Sequence, residues 1–234
     1  MIEYDPSTWR SHLFDIRGSM AREILARVIV CTAFSAAVVA WNKLVTPVDI
    51  PLTAHTLIGL ALGLLLVFRT HAAYDRYWEG RRLWGSIING CRNLGLGARQ
   101  YFSADRGIHE TVSLWTMAFA YATMDALRGK AGLGPVADQL PREEAADTLS
   151  TDNVPLAVAS RIGDKLEAAC TEGLISKFVR VDMVRSVQQL VDHLGGCERI
   201  RRTPLPFVYV DHLRRALILY SLTLPLALVA TYGW

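Results

Sequence analysis

The chain has 234 residues, 51% of them hydrophobic, and a mean hydropathy of +0.22. This exceeds the ordinary soluble range and favours a membrane protein with polar parts over a soluble enzyme. A net charge of +3 and a pI of about 8.7 come from scattered charges rather than a basic tail, which argues against nucleic acid as a partner. Cys31, Cys91, Cys170 and Cys197 lie far apart with no CxxC pair, a pattern of reduced thiols rather than of a disulfide framework or a zinc site. The opening "MIEYDPSTWRSHLFDIRGS" is polar and carries acids, so no cleavable signal is expected and insertion into a membrane must rely on internal segments.

Three apolar segments succeed one another in chain order. The first covers residues 24–45, with the body "VIVCTAFSAAVVAW", Arg27 near its start and Trp41 at its far end. The second covers residues 51–69 and contains "TLIGLALGLLLVF". The third, within residues 206–234, has an apolar run that starts at Ala216, after Arg214 and Arg215, and ends in aromatics suited to a water–lipid boundary. Each is borderline for a hydrocarbon core about 30 Å thick, which needs about 20 residues. The flanking charges strengthen the reading, because arginines gather at one end of each segment: Arg17, Arg22 and Arg27; Arg69, Arg76, Arg81 and Arg82; Arg199, Arg201, Arg202, Arg214 and Arg215. By the positive-inside rule the N-terminus is cytoplasmic, "NKLVTPVDIP" is an outer turn, and residues 70–205 are cytosolic.

Within that region "TVSLWTMAFAYATMDAL" is short and closely flanked by charge, so it is expected to be a buried helix rather than a span. The stretch "RGKAGLGPVADQLPREEAADTLSTDNVP" carries the loop punctuation, and Asp152 or Asn153 can cap the next helix. Helical periodicity resumes in "LAVASRIGDKLEAACTEGLI" and "SKFVRVDMVRSVQQLVDHLGG", with Gly195 and Gly196 read as the stop of the second helix. Pro206 suits the first turn of the third apolar helix, "RTPLPFVYV" around Pro204 also suits a hinge, and Pro225 would kink the span. With no run of alternating strands, the fold class is all-α: transmembrane helices continuing into a helical bundle.

No HExxH, GxSxG, Walker loop or GxGxxG appears, and the six histidines are dispersed, so the chain is not expected to be an enzyme or to need a cofactor. His71 and Asp75, spaced i,i+4, with Glu79 a turn further on, could face one way on a helix and hold a metal. The competing reading is a solvated face, in which Glu79 pairs with Arg76 or Arg82.

The passage "FRTHAAYDRYWEGRRLWG", with "IPLTAHTLIGLALGLLLVF" before it and "GGCERIRRTPLPFVYVDHLRRALILYSLTLPLALV" near the end, resembles the bacterial branch of the bestrophin family of ion channels. The resemblance runs from about residue 10 onward. It implies a homopentamer in the bacterial inner membrane, with a single pore on the five-fold axis that the cytosolic helices extend inward. It further implies permeating ions and membrane lipid as partners: chloride or other anions, or monovalent cations in the bacterial branch. The other function class is a non-conducting membrane scaffold or regulator.

Eukaryotic bestrophins place three apolar side chains at i, i+4 and i+8 in a narrow neck, ahead of an arginine–aromatic block. Arg76-Tyr77-Trp78 matches that block, which makes Phe68, Leu64 and Leu60 the neck. At 100° per residue these three span about 80° of one helix face, so five copies would stack three apolar rings that gate by dewetting. The same spacing also suits the buried stripe of a packed helix. Gly59 and Gly63, four apart beside that face, would let a neighbouring helix backbone approach, within a protomer or between protomers. Continued along the helix, the face reaches His71, Asp75, Glu79 and Arg82, then Asn89 and Asn93, candidates for an inner vestibule. A second constriction is expected ahead of "TPLPF", with Phe178 and Val181 as candidates. Eukaryotic members bind calcium in an acidic cluster beyond a fourth span. Neither is found before Trp234, so the sequence reads as truncated and no calcium site is carried over.

Overall fold

The computed structural model describes residues 21–47, 50–102, 105–204 and 206–232. Arg17, the side chain of Arg22 and the cytoplasmic N-terminus expected from the charge pattern lie outside the described residues. The helices are α1 (Ala21–Leu44), α2 (Leu52–Tyr101), α3 (Arg106–Leu127), α4 (Arg142–Leu149), α5 (Val154–Thr171), α6 (Lys177–Arg202) and α7 (Phe207–Tyr232), with a 3₁₀ turn at Gly134–Gln139. The described residues contain no strand, as the absence of alternating patterns predicts. By internal contacts the chain forms two compact units, Met1–Thr70 with Pro206–Trp234, and His71–Leu205.

The first unit holds α1, the beginning of α2, and α7. Its apolar content matches three candidate membrane spans, Ile24–Leu44, one within Leu52–Tyr101, and Val208–Tyr232. α1 packs against α7. A polar tie joins α2 to α7: His55, buried, shares a hydrogen bond of 2.8 Å with the Thr223 hydroxyl. Because Thr223 Oγ1 donates to the Leu219 carbonyl at 2.8 Å, it is placed to accept from His55 Nε2. Tyr209 Oη donates to the Leu65 carbonyl at 2.9 Å. Such bonds count in an apolar medium, where an unpartnered polar group has no water to turn to. Pro206 directly precedes α7 and its carbonyl accepts from Val210 N, so it sits at the helix start; Pro225 lies inside α7.

α2 continues without a break through Phe68 and Arg69, for 50 residues in all. At about 1.5 Å per residue that is roughly 75 Å, far more than a bilayer core requires.

In the second unit, α3 supplies the centre of the core. Asp105 caps it, accepting from Gly107 N and Ile108 N, and Val112, Trp115, Ala118, Phe119 and Ala122 are all buried on it. The segment "TVSLWTMAFAYATMDAL" is therefore an interior helix, packed against α5 and the 3₁₀ turn. Asn153 caps α5 by accepting from Leu156 N at 3.2 Å, and Ser176 caps α6 by accepting from Val179 N at 3.3 Å.

Two expectations are corrected here. The punctuated stretch after Leu127 is not all loop, since Arg142–Leu149 is helical, with Glu143 and Glu144 in the first turn where the helix dipole favours carboxylates. Lys165 and Arg161 of α5 then pair with Glu144 and Asp147 of α4. Gly195 and Gly196 do not stop their helix either, because α6 runs on to Arg202. Gly196 is instead a packing position. A Cβ there would stand 2.9 Å from both methyl carbons of Leu83, so the glycine makes room for that side chain of α2.

Candidate functional site

The site candidates lie along α2, whose side chains change from apolar to charged without any change of backbone. Leu60, Leu64 and Phe68 are 74%, 56% and 57% exposed, so no other described residue covers the row. Among the described residues the row is therefore not a buried stripe. Leu62, on the other side of the helix, is buried.

The two glycines beside this face differ. A Cβ on Gly59 would stand 2.5 Å from Tyr220 Oη and 3.1 Å from Cζ, so what the glycine admits is the tip of a side chain from α7 rather than a neighbouring backbone. Tyr220 also lies against His55, with ring centroids 5.7 Å apart. Gly63 has nothing within 4 Å of where its Cβ would be, and its surface is open. Nothing in the sequence points to Tyr220 or Thr223; a histidine inside an apolar run is the available signal for His55.

Beyond Phe68, the side chains of His71, Asp75, Glu79 and Arg82 are all exposed, as are Asn89 and Asn93. They do not form the local pairs that spacing suggests. Glu79 Oε1 accepts from Arg199 Nη2 of α6 at 2.5 Å, and the Arg82 guanidinium stands 5.7 Å from the centre of the Trp78 ring. Arg76 turns to the end of α6, donating to the Ile200 carbonyl at 2.6 Å and to the Thr203 carbonyl. It satisfies acceptors that a helix C-terminus otherwise leaves open. Arg201 donates to the Ala126 carbonyl at the end of α3, which also accepts from Gly129 N at 3.0 Å. Among the described residues, no three His, Cys, Asp or Glu side chains gather as metal ligands, so His71, Asp75 and Glu79 do not make a metal site. Phe178 and Val181 are both exposed near the start of α6. Burial pushes the Cys91 thiol up to about 11, and burial together with the Glu79 charge raises that of Cys197.

The family model described as Bacterial/Fungal Bestrophin protein matches residues 1–234. The chain belongs to the bestrophin family. It is 38% identical over 230 residues to a voltage-dependent anion channel-forming protein of Nostoc sp., a match covering 97% of this chain and 75% of the relative. A protein of the same description from Synechocystis sp. is 34% identical over 233 residues, covering 98% of this chain and 76% of the relative. Among solved structures, a bacterial bestrophin homolog from Klebsiella pneumoniae superposes with a TM-score of 0.83 at 26% identity, covering 89% of this chain and 78% of that one. The bestrophin fold is thus shared, the chain is a membrane protein with three candidate spans, and its relatives are channel-forming proteins rather than enzymes.

Proposed function

We propose that this bestrophin is an anion channel of the bacterial inner membrane, assembled as a homopentamer around one axial pore. The observation that carries the reading is the row Leu60, Leu64 and Phe68, apolar and uncovered within the protomer although it sits on a helix of the family's signature segment. Five copies facing an axis would turn the row into three stacked apolar rings. An ion shedding water there finds no polar group to replace its hydration shell, so conduction requires widening or wetting of the neck. Gly63 is the position where the adjacent protomer's helix approaches, being open in the single chain while Gly59 is filled from within.

The N-terminus and residues 70–205 are placed in the cytosol, in keeping with the arginines at one end of each span. His71, Asp75, Glu79 and Arg82 then line the inner vestibule. With Glu79 held by Arg199, the exposed carboxylate facing ions there is Asp75, and the cation is Arg82. Relatives described as anion channel-forming proteins support anions as the permeating species.

The test is chloride efflux from liposomes carrying the purified protein, compared with sodium efflux under the reverse gradient. Leu64→Ala should raise chloride efflux several-fold, since shortening the middle ring removes much of the dewetted constriction. An unchanged rate overturns the neck assignment, and wild-type protein that passes no ions overturns conduction itself.

A further inference from the structure

Three arginines from three helices line one cavity of about 610 Å³ in the membrane unit: Arg27 of α1, Arg69 of α2 and Arg214 of α7, together with Leu217 and Ile218. Among the described residues, no acid lines this cavity and none of the three arginines forms an ion pair. Asp211, the closest acid in sequence on α7, is held by Arg215 at 2.8 Å. Like charges around one space repel, and an anion between them turns repulsion into attraction. The choice of residue narrows the anion, because guanidinium forks match the paired oxygens of a phosphate group.

Position narrows it further. Arg27 lies near the start of α1, Arg214 just ahead of the apolar run of α7, and Arg69 directly behind the apolar run of α2. All three stand where apolar helix gives way to charge, the depth at which lipid phosphates lie, and basic pockets between helices at that depth suit anionic head groups. Leu217 and Ile218 would be wasted on a free ion, but they suit the first methylenes of an acyl chain.

We propose that Arg27, Arg69 and Arg214 bind the phosphate of an anionic phospholipid, with Leu217 and Ile218 against the beginning of its acyl chains. The proposal rests on the membrane placement of these helices and not on conduction.

It is tested on the full chain in mild non-ionic detergent, by native mass spectrometry after incubation with equal amounts of phosphatidylglycerol and phosphatidylcholine. Phosphatidylglycerol should be retained about tenfold or more over phosphatidylcholine, with about a tenfold loss of that preference for each of Arg27→Gln, Arg69→Gln and Arg214→Gln. Arg215→Gln, which touches Asp211 instead, should keep it. If a glutamine variant does not fold, Arg69→Lys retains the charge without the fork and should keep only part of the preference. Phosphatidylglycerol should also raise Tm, while millimolar inorganic phosphate should not. Equal retention of the two lipids, or a preference that survives all three glutamine substitutions together, overturns the proposal. A Tm rise reproduced by inorganic phosphate overturns the lipid assignment in favour of the free ion. Absent ion flux with an intact lipid preference would sink the channel reading and leave this site standing.

Discussion

The two units hold their apolar residues in opposite ways. In His71–Leu205, Val112, Trp115, Phe119, Ile162, Leu166 and Leu190 are fully enclosed, and the helices around α3 close over them as in any water-soluble core. In the unit built from α1, the beginning of α2, and α7, at most 17% of the apolar window of any candidate span is buried, and Leu57, Leu60, Leu64, Phe68 and Leu219 stand open. Similar side chains therefore obey different solvents. The core built on α3 closes over its own apolar side chains, whereas the apolar unit leaves its own open, as suits a membrane-embedded surface.

Substitutions should separate the two kinds of surface. The largest effect is expected in the closed core, where Trp115→Ala should cost about 3–5 kcal/mol in urea unfolding of the full chain. Trp115→Phe should cost clearly less, since among the described residues the indole Nε1 has no hydrogen-bond partner to lose. Next, the Cys91 thiol should react with maleimide at neutral pH roughly a hundredfold more slowly than an unperturbed thiol. A group raised to about 11 keeps its proton there, and its labelling rate should climb as pH rises toward that value. In the open unit, Gly59→Ala should lower stability by about 1–3 kcal/mol through its collision with Tyr220, and Tyr220→Phe should return much of that by removing the closest atom. Gly63→Ala should spare the single chain, so a fall in the proposed five-fold assembly on native gels would locate a neighbouring copy against Gly63. The smallest effect belongs to Glu79→Gln. Its side chain and that of Arg199 are 46% and 66% exposed, which limits the loss to about 0–1 kcal/mol. It should leave the reversal potential nearly unchanged, whereas Asp75→Asn should shift it; no shift would remove Asp75 from selectivity.

The same division explains what could be read from the sequence. Long apolar runs announce spans because the signal is local, and the charge around "TVSLWTMAFAYATMDAL" rightly placed it in a protein core. A cap at Asp152 or Asn153 was legible because capping needs only the next turn, and the structure gives it to Asn153. Glu79 was not, since its partner lies 120 residues away on another helix, and nearby Arg76 and Arg82 made a plausible local answer. Gly196 misled for a related reason. A glycine that ends a helix and one that admits Leu83 look alike until the neighbour is known. The convergence of Arg27, Arg69 and Arg214 is likewise invisible in a chain that spreads them over three separate segments.

The arginines that cap α3 and α6 change how the cationic balance of this protein should be counted. A helix C-terminus carries roughly half a negative charge, so Arg201 and Arg76 are each partly neutralised by the carbonyls they hold. An approaching ion responds to the residual potential rather than to a tally of basic side chains. Replacing either guanidinium would therefore erase less positive field than its formal charge suggests, and replacing Arg76 would take a donor from the end of α6 in exchange.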